Sequence, residues 1–402
     1  MAITADGFGR FGGRISDIEA PVAALALAAL VFVPVFHTKA ALVFLLFGMG
    51  ILATRPNQTL TDLWRFRWVL VLPVFCVLSM LWSELPGASL RAGIQLLATF
   101  LIAVVLAARM PQTGFLLVLW AALTASVVLS LAFGHVRADT GALVGLYDSK
   151  NAMAWAAALA SLLSIGIAAA RTVPGPLRLM AAAAAPICIA AMILAQSVSA
   201  LGYLPIGICA FLAVQVMRRM RVSTRVVLTA FLALAGSYVL LLATLHADAL
   251  AAMFFNATGK DVTLTGRTDL WLIAVDYIRE KPWLGLGYQA FWVPGNPTAE
   301  AIWQAFGIAS RSGFNFHNTY LSNAVEIGLI GVLIQTVLLG AAIVLSAGRA
   351  LTSHNTLDAL MFACVVMLVS ITPIEVPVFH QFTPQAVLII AAVIYSASRG
   401  HG

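Results

Sequence analysis

Between residues 248 and 323 an otherwise hydrophobic chain turns polar, and there Arg267, Arg279, Lys281 and Arg311 gather ahead of Phe316-His317-Asn318, which runs into another apolar stretch. Fixed cations suit a substrate that carries phosphate, since a guanidinium meets phosphate oxygens with a planar fork of donors. An imidazole beside them adds a group able to take a proton near neutral pH.

These residues need elements to hold them. Residues 269–279 (DLWLIAVDYIR) set Leu270, Trp271, Ile273, Ala274, Tyr277 and Ile278 at three-to-four spacing, the single apolar face of a helix, which the sequence predicts to lie along the membrane surface. Thr268 or Asp269 would cap its start, and Lys281-Pro282 would stop it. Arg267 then stands just ahead of a helix N-terminus, where free N–H groups and the positive dipole end add to its own attraction for an anion. Beyond it, Gly285 and Gly287 with Tyr288 and Phe291 predict a turn with aromatic walls, Tyr288 being a candidate substrate contact. The GLGYQAF run is no dinucleotide fingerprint, because neither a strand nor a third spaced glycine accompanies it.

Composition decides the solvent. Of 402 residues 61% are hydrophobic and 10% charged, with a mean hydropathy of +0.98, which excludes a water-soluble globule and predicts an all-α integral membrane protein. About twelve apolar runs approach the length needed to cross a bilayer: near 20–36, 40–54, 68–83, 88–107, 114–134, 152–170, 177–196, 200–217, 225–246, 324–347, 357–374 and 383–398. Pro34, Pro186 and Pro205 would kink their spans. The chain divides into a tail over 1–19, nine spans over 20–247, the large loop over 248–323, and three spans with a short tail over 324–402. Residues 1–17, Gly-rich and polar, read as a cytoplasmic tail rather than a signal peptide.

With that tail inside, the inner loops hold Arg10, Arg14, Arg55, Arg65, Arg67, Arg109, Arg171, Arg178, Arg218, Arg219, Arg221, Arg225, Arg349 and Arg399, and the short outer ones only Lys39, Arg137 and Lys150. This bias fixes orientation and puts the long loop outside, while the net charge of +7 gives no reason to expect a nucleic-acid partner. Cys76, Cys188, Cys209 and Cys364 all fall in expected spans, where a thiol packs as a small hydrophobe, so neither a disulfide nor a metal site is expected. No repeat of transporter type is visible.

Three stretches carry a family resemblance: residues 261–271 (DVTLTGRTDLW), residues 285–291 (GLGYQAF), and His317-Asn318 with nine residues before GLIG at 328–331. Together with the expected topology they resemble the O-antigen ligase and Wzy-type polysaccharide polymerase superfamily. TLTGRT is most similar to exopolysaccharide polymerases of the ExoQ type, and Tyr147-Asp148-Ser149-Lys150-Asn151 resembles their KN loop. Val332 after the last glycine, and Val198 where many members carry an arginine between Ser197 and Ser199, depart from the ligases.

The resemblance implies glycosyl transfer at the periplasmic face of the bacterial inner membrane, from an undecaprenyl-diphosphate-linked glycan to a glycan acceptor, inverting and without metal or other cofactor. A chain-length regulator is a possible protein partner. Arg267 would stabilise charge growing on the leaving diphosphate, His317 would take the acceptor hydroxyl proton, and Asn318 would orient the imidazole or bind a sugar hydroxyl. Lys150, Asn151, Arg311 and Arg91 are further expected contacts to phosphate or glycan, and Glu326 an expected partner for one of the cations; Glu375 and His380, in the last outer loop, rank behind them. Plainer roles compete: Arg267 pairing with Asp261 or Asp269, His317 capping a helix, Arg91 snorkelling to the interface, Gly328 and Gly331 serving close helix packing. A ligase using a lipid A core acceptor and a lipid-linked glycan flippase remain the alternative functions, the latter at odds with spans nearly free of charge.

Overall fold

The computed structural model describes residues 19–246, 267–311 and 314–397. Among them the chain is helical throughout, apart from a two-stranded antiparallel ribbon, β1 (His135–Val136) with β2 (Leu143–Gly145). Each of the twelve apolar runs lies on helix: α1 (Glu19–Val31) with α2 (Val33–Phe36), α3 (Thr38–Thr54) leading into α4 (Pro56–Arg65), α5 (Val71–Leu78) between two 3-10 turns, α6 (Pro86–Arg109), α7 (Gln112–Phe133), α8 (Lys150–Ala169), α9 (Gly175–Leu194), α10 (Val198–Met217) and α11 (Val222–Leu245). After α12 (Arg267–Glu280) and α13 (Pro297–Ala305) come α14 (Thr319–Thr352), α15 (Thr356–Ser370) and α16 (Pro384–Ala397).

By length and apolarity six of these, α6 to α10 and α14, suffice to cross a membrane, and α3 with α4 makes a seventh if the pair, bent by 101°, is one span. Among the described residues α1, the stretch Arg67–Leu81 around α5, the first part of α11 (Val222–Phe231), α15 and α16 are shorter apolar helices. The expected first span breaks at Phe32 ahead of Pro34, whereas Pro186 and Pro205 stay inside continuous helices. The protein is thus an all-α, multi-pass membrane protein.

Starts and stops follow local chemistry. Pro56, Pro86 and Pro297 stand in the first turn of α4, α6 and α13, where a missing N–H costs nothing. Ser149, Asn296, Asn318 and Asn355 cap α8, α13, α14 and α15 by accepting backbone N–H bonds. Helix α16 is apolar all round and buried from Ala386 to Tyr395, so it forms the axis of the bundle. Leu96 and Phe100 of α6, Leu119 of α7, Leu163 of α8 and Val365 of α15 complete this main core. At the periphery Leu179 on α9 and Val222 and Phe231 on α11 point outward, as lipid-facing residues do.

Charged ends separate. At one end Arg109 is buried against Glu19, Asp62 and the backbone of α3, Arg225 donates to Leu351 O, and Arg218 donates to His354 O. The other end carries the β-ribbon, the start of α8, the segment from α12 to His317, and the loop between α15 and α16; Gln196 bonds both Lys150 and the ribbon turn, while Arg267, Tyr288 and His317 bond the α15–α16 loop.

Candidate active site

The segment after α12 has a small core of its own: Leu270 and Ala274 of α12, Phe291, Ile302 and Trp303 of α13, Phe316 and Val325. Phe291 meets Phe316 and Trp292 with ring centroids 4.8 Å apart in each case. Burying a Leu, Ile, Val or Phe side chain here contributes about 1.5–3 kcal/mol, so this core stabilises the segment. The expected apolar face of residues 269–279 packs into this core, and Trp271 donates its indole N–H to Phe316 O at 2.9 Å. The helix therefore cannot offer that face to a membrane surface; its outward side shows Leu272, Asp276 and Arg279.

How the segment docks explains its glycines. Gly328 has φ 66° and ψ −176°, which breaks α14 after Ile327. The carbonyls freed by the break, Val325 O and Glu326 O, accept N–H bonds from Leu286 (2.9 Å) and Gly287 (2.8 Å), while Leu329 N donates to Pro282 O at 2.8 Å. A side chain at Gly328 would strike Trp283 O, and one at Gly285, with φ 66°, would strike the backbone of Val325 and Glu326. Residues 282–287 are thus a plug fitted into a broken helix, not a free turn with aromatic walls. Tyr288 is corrected with it: the side chain is 1% exposed and its hydroxyl donates to Phe379 O at 2.9 Å, so it fastens the α15–α16 loop and offers a substrate nothing.

Arg267 and His317 converge on Glu375. Arg267 donates through one terminal nitrogen to Ile374 O at 2.6 Å and through the other to Glu375 Oε1 at 2.8 Å. His317 Nδ1 lies 3.1 Å from Glu375 Oε2. The acid is itself fixed, since Thr319 donates its hydroxyl to Glu375 O at 2.6 Å and its N–H to Thr372 O at 2.9 Å. Burial acts to raise the Glu375 carboxyl, but the hydrogen bonds and charges of His317 and Arg267 outweigh it and hold the pKa below the usual range. An ionised carboxylate accepts only, so Nδ1 of a neutral His317 carries its proton toward Glu375, leaving Nε2 as the free acceptor. His317 also sits at φ 49°, with its N–H bonded to Asn315 Oδ1 at 2.7 Å. A non-glycine residue held there stores local strain at the point where the ring is aimed.

Asp269 does not pair with Arg267, and Asp261 lies outside the described residues, as does the TLTG stretch up to Gly266. The remaining candidates are engaged elsewhere or exposed. Asn318 uses its Oδ1 to cap α14, accepting from Tyr320 N and Leu321 N. Asn151 accepts from the Ser197 hydroxyl at 3.0 Å, Ser197 and Ser199 lie 3.1 Å apart, and Lys150 reaches Gln196 O at 3.4 Å, so the loop before α8 and the serines at the start of α10 form one polar patch. Tyr203 of α10 links that patch to the centre, lying within electrostatic reach of Glu375 and Arg267 and edge-on to Trp155 at 5.7 Å. Arg311 pairs with Glu300 at 3.1 Å and Arg279 with Asp276 at 3.3 Å, while Lys281 pairs with Glu84. Arg91 is exposed on α6 and makes no hydrogen bond or ion pair among the described residues. Glu326 pairs with no cation among them; its Oε2 accepts from Gln289 N at 3.0 Å.

Glu375 is the residue to which sequence reasoning gave too little weight. Its one signal was an acid between two apolar runs, where burial without partners would be costly.

Residues 183–336, a stretch that includes Arg267 and His317 and stops short of Glu375, match the family profile described as O-Antigen ligase. The chain is also similar to the exopolysaccharide production protein ExoQ of Rhizobium meliloti (strain 1021), 34% identical over 286 residues, or 69% of this chain. That alignment spans 64% of the relative's length. The plugged helix break and the Arg267–His317 stretch thus fall within residues 183–336, the part of this chain that is similar to the O-antigen ligase family.

Proposed function

We propose that this protein is a polysaccharide polymerase of the bacterial inner membrane, one that moves a growing glycan from undecaprenyl diphosphate to the sugar end of another lipid-linked repeat unit at the periplasmic face. The observation that carries this reading is Glu375 between Arg267 and His317: one carboxylate holds a cation and a proton acceptor side by side. Arg267 has five N–H donors, two of which are engaged among the described residues, and the others suit a diphosphate whose charge grows as the anomeric bond breaks. His317 Nε2 takes the proton from the attacking hydroxyl, and Glu375 stabilises the imidazolium that results, with no other group required.

Val376 and Pro377, next to Glu375, border an apolar cavity of about 190 Å³ with Val31, Leu123 and Trp155, a setting suited to the start of an isoprenoid tail. Polymerisation is favoured over ligation to a lipid A core by the relative's name, an exopolysaccharide production protein. In the same reading all twelve apolar runs cross the membrane and both termini are cytoplasmic. Purified protein given undecaprenyl-diphosphate repeat units is expected to yield a ladder of glycan lengths. A single transfer, made only to core lipid, excludes the polymerase, and lipid-linked glycan moved across liposomes without a new glycosidic bond excludes both transferases.

A further inference from the structure

A second cavity opens beside the Arg267–Glu375–His317 cluster. It has a volume of about 360 Å³, and its walls include Trp292, Trp303, Phe314, Ser322, Glu326 and Arg311. The Phe314 ring, one of those walls, meets His317 edge-on with centroids 5.5 Å apart. A larger depression of about 560 Å³ shares Trp303 and Arg311 with it, so the two lie on either side of one indole.

The chemistry of the walls is mixed in a particular way. Two half-buried aromatic rings, Trp292 and Phe314, stand among amides, a hydroxyl and a carboxylate, the combination that lets a ring with apolar C–H faces and polar edges bind in one orientation. Buried polar groups in folded proteins are nearly always paired. Here three that belong to wall residues have no hydrogen-bond partner among the described residues: the Ser322 hydroxyl and the indole N–H groups of Trp292 and Trp303. Ser322 is 5% exposed, Trp303 2% and Glu326 3%. His380 also borders the cavity, and its burial lowers its pKa to about 4, so it is a neutral hydrogen-bonding group at pH 7 and adds no charge.

From this arrangement we infer that the cavity between α13 and the start of α14 is a subsite for pyranose residues of the acceptor glycan, which stack on the half-buried Trp292 and Phe314 and present the chain end to His317. The inference rests on the transfer reading for the word acceptor, but not for the saccharide binding itself. Volume supports one or two sugar rings, since ligand cavities begin at about 300 Å³, and the depression beyond Trp303 gives the rest of the glycan a way out.

Calorimetry on the full-length protein in nanodiscs tests it, with two probes: oligosaccharide released from the polysaccharide of the strain that carries the gene, and undecaprenyl diphosphate alone. Trp292→Leu and Ser322→Ala are each expected to weaken saccharide binding about tenfold while the lipid diphosphate binds as in the wild type, which also shows that the variants are folded. Arg311→Gln changes an exposed side chain, cannot disturb the core, and is expected to lower saccharide affinity by a smaller factor. Unchanged saccharide affinity in these variants, or no saccharide binding by the wild type, overturns the inference. If the wild type forms no polymer yet binds saccharide through Trp292, the transfer reading fails and the subsite stands. If polymer forms while the variants bind saccharide normally, the reverse holds.

Discussion

Arg267 is held at two of its donors by Ile374 O and Glu375, which makes it a fixed fork rather than a mobile charge. Arg267→Lys keeps the charge but replaces the fork with a point donor that cannot hold Ile374 O, Glu375 and a diphosphate together; transfer rate is expected to fall at least about a hundredfold, read as product per time from purified protein. Glu375 gives a test that needs no substrate. Its folded pKa lies below the ordinary value of 4.5, so its contribution to stability is complete above that value and is lost as pH falls through the lower, folded pKa. Melting temperatures of wild type and Glu375→Gln should therefore differ most near pH 7 and converge as pH falls through the lowered, folded pKa; a gap that widens on acidification would reverse the assigned sign. Arg267 and His317 were legible in the sequence because cations and an imidazole in a polar interval of a membrane protein call for a reason. Glu375 was not, because its partners lie 108 and 58 residues away and no spacing rule joins them.

At the level of elements, the sequence shows where apolar helices lie but not where one is interrupted. Gly328 reads as a small residue for close packing, and a continuous tenth span is the natural expectation. In the fold it takes a backbone conformation that only glycine adopts readily, and the break exists because residues 286 and 287 supply the N–H donors that the freed carbonyls need. Those donors lie about forty residues upstream, and no helical periodicity reports them. Gly328→Ala should cost at least about 1–3 kcal/mol from backbone strain alone, before displacement of the 282–287 plug, and should lower the melting temperature and the transfer rate together. Gly50→Ala, on α3 where an added methyl meets nothing within 4 Å, is the matched control and should be neutral or slightly stabilising. Helix α12 makes the complementary point: its period was legible, its partner was not, since an apolar stripe packs equally well on lipid or on Phe291 and Phe316.

Across the whole molecule, the arginine bias seen in the sequence corresponds to two chemically different ends, one built on Arg109, Arg218 and Arg225, the other on the α12–His317 segment. In whole cells a cysteine at Glu300 should react with a membrane-impermeant thiol reagent and one at Ser353 should not; the opposite pattern would invert the proposed orientation. The centre itself also belongs to this scale, because Arg267 opens α12, His317 precedes α14, Glu375 lies between α15 and α16, and only the complete fold joins them. The most direct measurement is a double-mutant cycle on polymer formation from lipid-linked repeat units, comparing His317→Gln, Glu375→Gln and the pair. Residues that act as one unit lose their contribution once, so each single variant should be slowed by at least about a hundredfold and the double variant by little more. Losses that multiply, or a Glu375→Gln protein as active as the wild type, would contradict the account.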